Sequence, residues 1–596
     1  MCRISGIVNS GIPIIELESV VRKMCNLQQH GGPDDEGVYT YKESNLVLGN
    51  RRLALLDLTI AGHQPMTYRN YIITYNGELY NFLSLKKELI TLGHQFITET
   101  DTEVILAAFA QWNTQSFARF KGMFAFALLD KEKKALYLVR DPAGIKPLYY
   151  STTSGGICFA SEITAFKPVP FLKENNATWP VYLMAYGHIP EPVTTIVGVK
   201  PLHKGCFLKY HLNSGEYNLQ SFSHYSYSST IYKNDNVEQL IHDCLDNAVQ
   251  RHMLADAPVG VFLSGGLDSG IIATLAAKHR QSSLNTLSIY FDEPEYSEKK
   301  YQDLMIQRLH CRQHQYLLEE STFHKEFPAI LSAMDMPSCD GVNTWFISKY
   351  ARQQGLKAVL SGIGGDELFG GYPSFTRIRK ALLLQQLPSL ATGMGGRSKY
   401  KRINRMAYLG MEGIKGIYLF LRGHFSPFQI AKQLGLYENE VWKLLAEDPV
   451  LPDIYHIDPQ NQASWMEFNL YMQNQLLRDA DVMSMKHGIE IRVPFMDDDL
   501  IRLAYKINTS IKYAGPLPKQ LLIDSFKNEL PAAIWDRPKM GFSFPFAQWL
   551  GASSYVKDLM NNGNNKSRDA YNKFINGRMH WSHLMSLLIM RKRGVY

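Results

Sequence analysis

Paired cysteines, long apolar runs and a strong charge of either sign are all missing from this 596-residue sequence. Its seven cysteines, at 2, 25, 158, 206, 244, 311 and 339, are odd in number and widely spaced, with no C-x-x-C pair. That argues against a disulfide framework and a zinc site, and for reduced thiols in a cytoplasmic protein. No stretch of 18 apolar residues is present, so no transmembrane helix and no membrane partner are expected. The opening Met1-Cys2-Arg3-Ile4-Ser5-Gly6-Ile7 lacks the apolar segment and cleavage site of a signal peptide. A formal net charge of +7 is small for this length, and the basic clusters Arg397–Arg405 and Arg591–Arg593 read as solvated faces. No nucleic-acid partner is expected. No internal repeat or low-complexity tract is visible.

What remains is a globular composition on a chain too long for one core, which implies two domains. Residues 1–165 read as β-rich, with strand-like runs at Leu46–Leu48, Tyr71–Tyr75, Met123–Leu129 and Ala135–Val139. Helical periodicity covers Glu18–Gln29 and Glu103–Trp112. Residues 166–235, rich in Pro, Ser, Tyr and Asn, read as a linker with a few short strands. From 236 to 596 helices and strands alternate: Val237–Leu254, Val259–Leu263, Gly270–His279, Thr286–Tyr290, Glu298–Leu309 and Ala358–Leu360. That rhythm predicts a doubly wound parallel sheet, with a mostly helical part after 376.

Once the initiator Met is trimmed, Cys2 carries its own α-amino group, with an ordinary pKa of about 8. One residue then supplies both nucleophile and base. Asn76-Gly77 offers a side-chain amide beside a flexible backbone N–H, a pair able to hold an oxyanion at roughly 3 kcal/mol per donor. Taken alone, Asn-Gly reads as a hairpin turn. Arg52, Glu78 and Asp101 have the charges to hold the carboxylate and ammonium of a free amino acid.

Cys2…Gly6-Ile7, His30-Gly31-Gly32-Pro33-Asp34, Arg51-Arg52-Leu53, Tyr75–Asn81 and Thr100–Glu103 together resemble the class II glutamine amidotransferase domain. Gly122–Ala127 and Arg140–Tyr149 extend the match. The resemblance implies an N-terminal-nucleophile αββα fold that hydrolyses glutamine. Cys2 would be the nucleophile, Asn76 and Gly77 the oxyanion hole, and Arg52, Asn76, Gly77, Glu78 and Asp101 the glutamine-binding set. Two departures stand out. The usual His-Arg-Gly-Pro-Asp has Gly31 for its arginine, and Arg3 occupies a position where small residues are usual. Both can tune glutaminase gating; neither removes a core catalytic group.

Leu263-Ser264-Gly265-Gly266-Leu267-Asp268-Ser269 joins an apolar strand to a helix, where glycines and free N–H groups suit phosphate. It lacks the Lys of a Walker A loop, which disfavours cleavage at the γ-phosphate. With Ser361-Gly362-Ile363-Gly364-Gly365-Asp366, Leu477–Asp479, Glu490–Asp497, Pro518–Gln520 and Arg537–Phe542, it resembles the ATP pyrophosphatase domain of glutamine-hydrolysing asparagine synthetase. By that resemblance Leu263, Ser264, Gly265, Gly266, Asp268, Ser269, Ile289, Ser361 and Gly362 bind ATP. Asp268 and Asp366 hold Mg²⁺, and Lys519 stabilises the pentavalent phosphorus and leaving pyrophosphate. A surface lysine and a helix-capping carboxylate are the plain alternatives for Lys519 and Asp366.

The implied reaction adenylylates a carboxylate and amidates it with ammonia that crosses between the domains, in a chain that can form a homodimer. The substrates are glutamine, ATP and a carboxylate acceptor: aspartate, or a natural-product or surface-sugar carboxylate. Ring-forming synthesis would make the intact glutaminase set unnecessary. A decayed storage or interaction protein would not keep Cys2, Asp268 and Asp366. A tRNA-modifying enzyme would bring sulfur-chemistry cysteines and a basic face. Ile363 stands where such synthetases carry a glutamate active in amide formation, and Asp340–Trp345 marks the expected acceptor-binding segment, where Trp345 is bulky. Asp340 or Glu367 could substitute for that glutamate. Free aspartate is therefore expected to be a poor acceptor.

Overall fold

The computed structural model describes residues 2–153, 155–232, 235–280, 284–387, 404–541 and 544–596. Arg397–Arg402 of the first basic cluster and Phe542 lie outside the described residues.

The amino-terminal half has twelve strands: β1 (Cys2–Asn9), β2 (Asp35–Tyr41), β3 (Leu46–Arg52), β4 (Met66–Tyr68), β5 (Tyr71–Leu79), β6 (Gly122–Asp130), β7 (Ala135–Arg140), β8 (Tyr149–Thr153), β9 (Gly156–Ala160), β10 (Lys200–Pro201), β11 (Cys206–His211) and β12 (Tyr217–Ser221). They form two antiparallel six-stranded sheets, β10-β8-β9-β1-β3-β2 and β12-β11-β7-β6-β5-β4. Helix α1 (Ile14–Leu27) covers the first sheet, and α2 (Phe82–Thr91) and α3 (Asp101–Trp112) the second. This is the expected αββα sandwich.

Period-two sequence explains the layering. Phe124, Phe126 and Leu128 of β6 pack among the α3 side chains, whereas Ala125, Ala127 and Leu129 face the other sheet. Phe124, Phe126 and Leu128 fill the helix side, each contributing roughly 1.5–3 kcal/mol of burial, and the small Ala125 and Ala127 let the sheets close. Along β1 the same alternation sends Ile7 toward Leu17, Val21 and Met24 of α1, and Ile4 and Val8 between the sheets.

The stretch 166–235, expected as a linker with a few short strands, carries short strands and a helix packed into the fold. Within it β11 and β12 complete the second sheet, and α4 (Trp179–Tyr186) is buried along its whole length. A helix apolar on all sides carries no amphipathic period to read. Strand β12 alternates Tyr217 and Leu219 with Asn218 and Gln220 but is exposed throughout, so its alternation marks no buried face.

The second half centres on a parallel sheet of β13 (Val259–Phe262), β14 (Asn285–Tyr290), β15 (Arg312–Leu317), β16 (Ala358–Leu360) and β17 (Glu490–Arg492), ordered β15-β14-β13-β16-β17. Around it lie α5 (Val237–His252), α6 (Leu267–Arg280), α7 (Lys299–Leu309), α8 (Glu320–Ala333), α9 (Val342–Gln353) and α10 (Gly365–Phe369). The order reverses between β13 and β16, so their following loops meet at a topological switch point, where doubly wound sheets bind ligands. Helices dominate after 373, and Glu467–Leu477 is π-helical inside the longer helical run Pro459–Met485. Among the described residues, no helix is long and apolar enough to cross a membrane.

Buried ion pairs join the halves. Arg492, fully buried on β17, binds Glu490 at 2.6 Å, the carbonyls of His252 and Leu254 at 2.7 and 2.6 Å, and Glu78 of β5 at 3.3 Å. Arg492→Ala would leave Glu78 and Glu490 buried without their shared cation, a loss on the order of 3–5 kcal/mol. The expected result is a marked fall in the unfolding midpoint; an unchanged midpoint would mean that the ion cluster contributes little to joining the halves.

Candidate active site

Cys2 and Arg52 are Cα partners across β1 and β3. The Cys2 backbone nitrogen donates to Asn76 Oδ1 on β5 at 3.2 Å, bridging the two sheets. With its oxygen so engaged, the fully buried Asn76 keeps Nδ2 without a hydrogen-bond partner among the described residues. An unpaired buried donor costs about 1–3 kcal/mol, so it suits an oxygen that arrives with a ligand. Gly77 is required by space: a Cβ there would stand 2.1 Å from the Met123 carbonyl oxygen on β6. The asparagine and glycine lie within β5, not at the tip of a hairpin.

Burial raises the Cys2 thiol, and the Leu53 backbone N–H and the Arg52 guanidinium pull it back. Arg52 donates to the carbonyls of Thr59 and Leu56 at 3.0 and 3.2 Å, which fixes its guanidinium against the 56–62 loop. Burial raises Glu78 well above the usual carboxylate range, with Glu490 adding repulsion and Arg492 opposing it. Asp101, in the first turn of α3, accepts from Tyr75 hydroxyl at 3.0 Å and the Leu79 N–H at 2.8 Å, bracing β5 from its helix side.

At the switch point, Lys519 Nζ lies 2.7 Å from Asp268 Oδ1 and 2.7 Å from Asp366 Oδ1. Both carboxylates hold the buried ammonium well above its ordinary pKa. Asp268 and Asp366 thus converge on one cation position, and as hard oxygen donors they could hold a divalent ion beside phosphate. Gly365 and Gly371 permit this convergence, since their Cβ atoms would stand 2.7 Å from Asp268 and 1.8 Å from Asp366. Asp366 lies in the first turn of α10, whose N-cap is Gly364, so it is not the capping group. In the β13 loop, the Ser264 N–H donates to Ser269 Oγ at 3.2 Å, and Gly266 N–H to Ser264 Oγ at 3.3 Å. The Leu263 N–H and carbonyl bond to Leu287 and Ser288, and the Ile289 carbonyl accepts from Gln302. Ser361 and Gly362 begin the adjacent β16 loop.

Several partners went unassigned in the sequence. Lys539 reaches Asp366 at 2.5 Å, and Arg537 ties Glu298 at 2.6 Å to the Gly265 carbonyl at 3.0 Å. Their motif was visible, their roles were not. Ile363 is partly buried and packs against the apolar cluster that includes Val493, Phe495 and Met496. Tyr372 hydroxyl donates to Glu367 at 2.8 Å, and burial raises that carboxyl. Burial also raises Asp340, which accepts from the Gly341 N–H at 2.8 Å. Trp345 departs from the expected acceptor role: its ring meets His487 at 4.3 Å and its indole N–H donates to Glu326 at 3.2 Å. Glu326 ties it to α8, and His487 to the turn that follows the helix Arg478–Met485.

Residues 240–586 match the family model described as Asparagine synthase, and residues 1–223 match Glutamine amidotransferase domain. The chain is 30% identical to "Asparagine synthetase [glutamine-hydrolyzing] 1" of Bacillus subtilis, over 92% of this chain and 88% of that protein. It is 30% identical to a putative glutamine-hydrolysing asparagine synthetase of Mycobacterium tuberculosis, over 90% and 86%. "Amidase chry2" of Gibberella zeae is 24% identical, over 94% and 91%.

Asp268→Ala and Asp366→Ala should each abolish ATP–pyrophosphate exchange while leaving glutamine hydrolysis measurable. Exchange that survives both changes would put the metal-binding carboxylates elsewhere.

Proposed function

The chain belongs to the asparagine synthase family of glutamine-dependent amidotransferases, and we propose that it converts a free carboxylate other than aspartate into its amide. The observation that carries the catalytic reading is the pairing, in one chain, of two prepared charge sites. One is Cys2 beside the unpartnered Asn76 Nδ2, and the other is Lys519 between Asp268 and Asp366.

With Cys2 as the first residue of the mature chain, its α-amine takes the thiol proton and the thiolate attacks the glutamine carboxamide. Asn76 Nδ2 and the Gly77 N–H hold the oxyanion. Arg52, Glu78 and Asp101 bind the amino-acid end of glutamine. Collapse of the tetrahedral adduct releases ammonia, and water then frees glutamate from the thioester.

In the second half the Ser264–Ser269 loop, with Leu263, Ile289, Ser361 and Gly362, seats ATP. The acceptor carboxylate attacks the α-phosphorus, giving an acyl-AMP and pyrophosphate; Lys519 stabilises the charge that develops there. Asp268 and Asp366 would hold Mg²⁺, which neutralises phosphate charge when bound. Ammonia then displaces AMP. Leu53, Leu55, Met123, Ala143 and Ile145 of the first half share one apolar cluster with Leu368, Met485, Ile489 and Phe495 of the second. An apolar path favours neutral ammonia over ammonium, which has lost its nucleophilic lone pair. A homodimer is compatible with this scheme.

The acceptor reading rests on Ile363. An isoleucine neither takes a proton from attacking ammonia nor orients a polar acceptor. Of the neighbouring acids, Glu367 already accepts from Tyr372 and Asp340 from Gly341. A relative spanning nearly the whole chain is named an amidase, not an asparagine synthetase. A larger or less polar carboxylate fits such a wall.

Cys2→Ala should abolish amide synthesis from glutamine and leave synthesis from ammonium salts intact. Retained glutamine-driven synthesis would end the nucleophile assignment. Free aspartate should turn over with kcat/KM below roughly 10⁴ M⁻¹s⁻¹; a value at or above that level would restore plain asparagine synthesis.

A further inference from the structure

Arg3 follows the nucleophile and is fully buried. Ile4 and Val8 of the same strand face between the sheets, so strand alternation turns Arg3, like Ile7, to the opposite face, toward α1 and Gly31. There Nε donates to Glu162 at 2.8 Å, within the first half, and Nη1 lies 2.9 Å from Asp481, in the second. Glu162 also receives His30 at 2.8 Å and Lys486 at 3.3 Å, and Asp481 receives Lys146 at 3.3 Å. Arg3 is the link between these two carboxylates, one from each half.

Gly31 lies beneath that side chain. A Cβ built on Gly31 would stand 2.8 Å from Arg3 Cγ and 2.9 Å from Arg3 Nε. A side chain rooted at 31 would therefore begin where the Arg3 stem now runs. The arginine gained at position 3 and the arginine missing at position 31 occupy one volume.

We propose that Arg3 is a positioning residue, with Gly31 as its required gap, that ties the nucleophile strand to the synthetase half and keeps glutamine hydrolysis coupled to amide formation. The inference rests on the amide-synthetase reading above. Arg3 touches neither substrate; it acts by holding β1 against the helix Arg478–Met485. Without it, Glu162 and Asp481 stay buried with one cation fewer, and the seam behind Cys2 loosens. Ammonia formed at Cys2 would then escape to water before reaching an acyl-AMP.

The test uses the full chain with glutamine, Mg-ATP and a pool of free carboxylic acids, aspartate included, and measures glutamate and pyrophosphate together. Wild type should release them in near-equal amounts. Arg3→Ala should release glutamate in several-fold excess, with pyrophosphate formation from ammonium salts unchanged. Arg3→Ala/Gly31→Arg should return the ratio toward wild type, because the guanidinium reaches the same carboxylates from the other root. A second readout needs no acceptor: hydrogen-exchange protection of Met485–Ile491 should fall in Arg3→Ala and recover in the exchanged pair. An unchanged ratio in Arg3→Ala, or a folded exchange variant that restores neither readout, overturns the proposal. If wild type releases glutamate but no pyrophosphate with any acid of the pool, the synthetase reading falls instead. The Arg3 tie is then decided by the exchange protection alone.

Discussion

The structure depends on buried charge at the seam between its halves. On one side of Cys2, Arg3 joins Glu162 to Asp481; on the other, Arg492 joins Glu78 to Glu490. Each cluster takes side chains from both halves, and neither is stable if one half withdraws, because a buried ion without its partner is strongly penalised. Such pairs contribute little net stability compared with apolar packing. What they fix is register: the guanidiniums accept few geometries, so the nucleophile strand and β17 are held at one relative position.

That constraint explains how two sites on different folds can serve one reaction. Arg492 lies on the last strand of the parallel sheet and contacts Glu78, one of the residues proposed to bind glutamine. The proposed glutamine site is thereby placed one ion pair from the sheet that carries the phosphate loops. Between the charged clusters, the shared core of the two halves is apolar. Charge at the margins and hydrocarbon in the middle is an arrangement suited to passing a small neutral molecule while excluding water.

The fold class was legible because both halves announce themselves locally. Cys2, Asn76-Gly77 and the Ser264–Ser269 loop are short motifs whose chemistry needs adjacent residues, and β13, β14 and β16 are brief apolar runs between helices. The seam was not legible, since its members are far apart in sequence: Lys146 and Asp481 are 335 residues apart. Glu490 and Arg492 stood inside a visible motif, yet nothing in their spacing pointed to Glu78. Arg3 and Gly31 read as two separate departures, and only three-dimensional contact relates them. Helix α4 was hidden for a different reason, burial on every side, while the short strands expected in the same stretch left their sheet partners unstated.

The central claim is that nitrogen released at Cys2 ends in an amide made at the Asp268–Lys519–Asp366 site. Incubating the full chain with Mg-ATP, ¹⁵N-amide glutamine and a panel of carboxylic acids, then weighing the products, tests it directly. The account predicts a ¹⁵N-labelled amide of a carboxylate other than aspartate, formed with AMP and pyrophosphate in equal amount. Label recovered wholly as free ammonium, with no AMP or pyrophosphate formed, would contradict it.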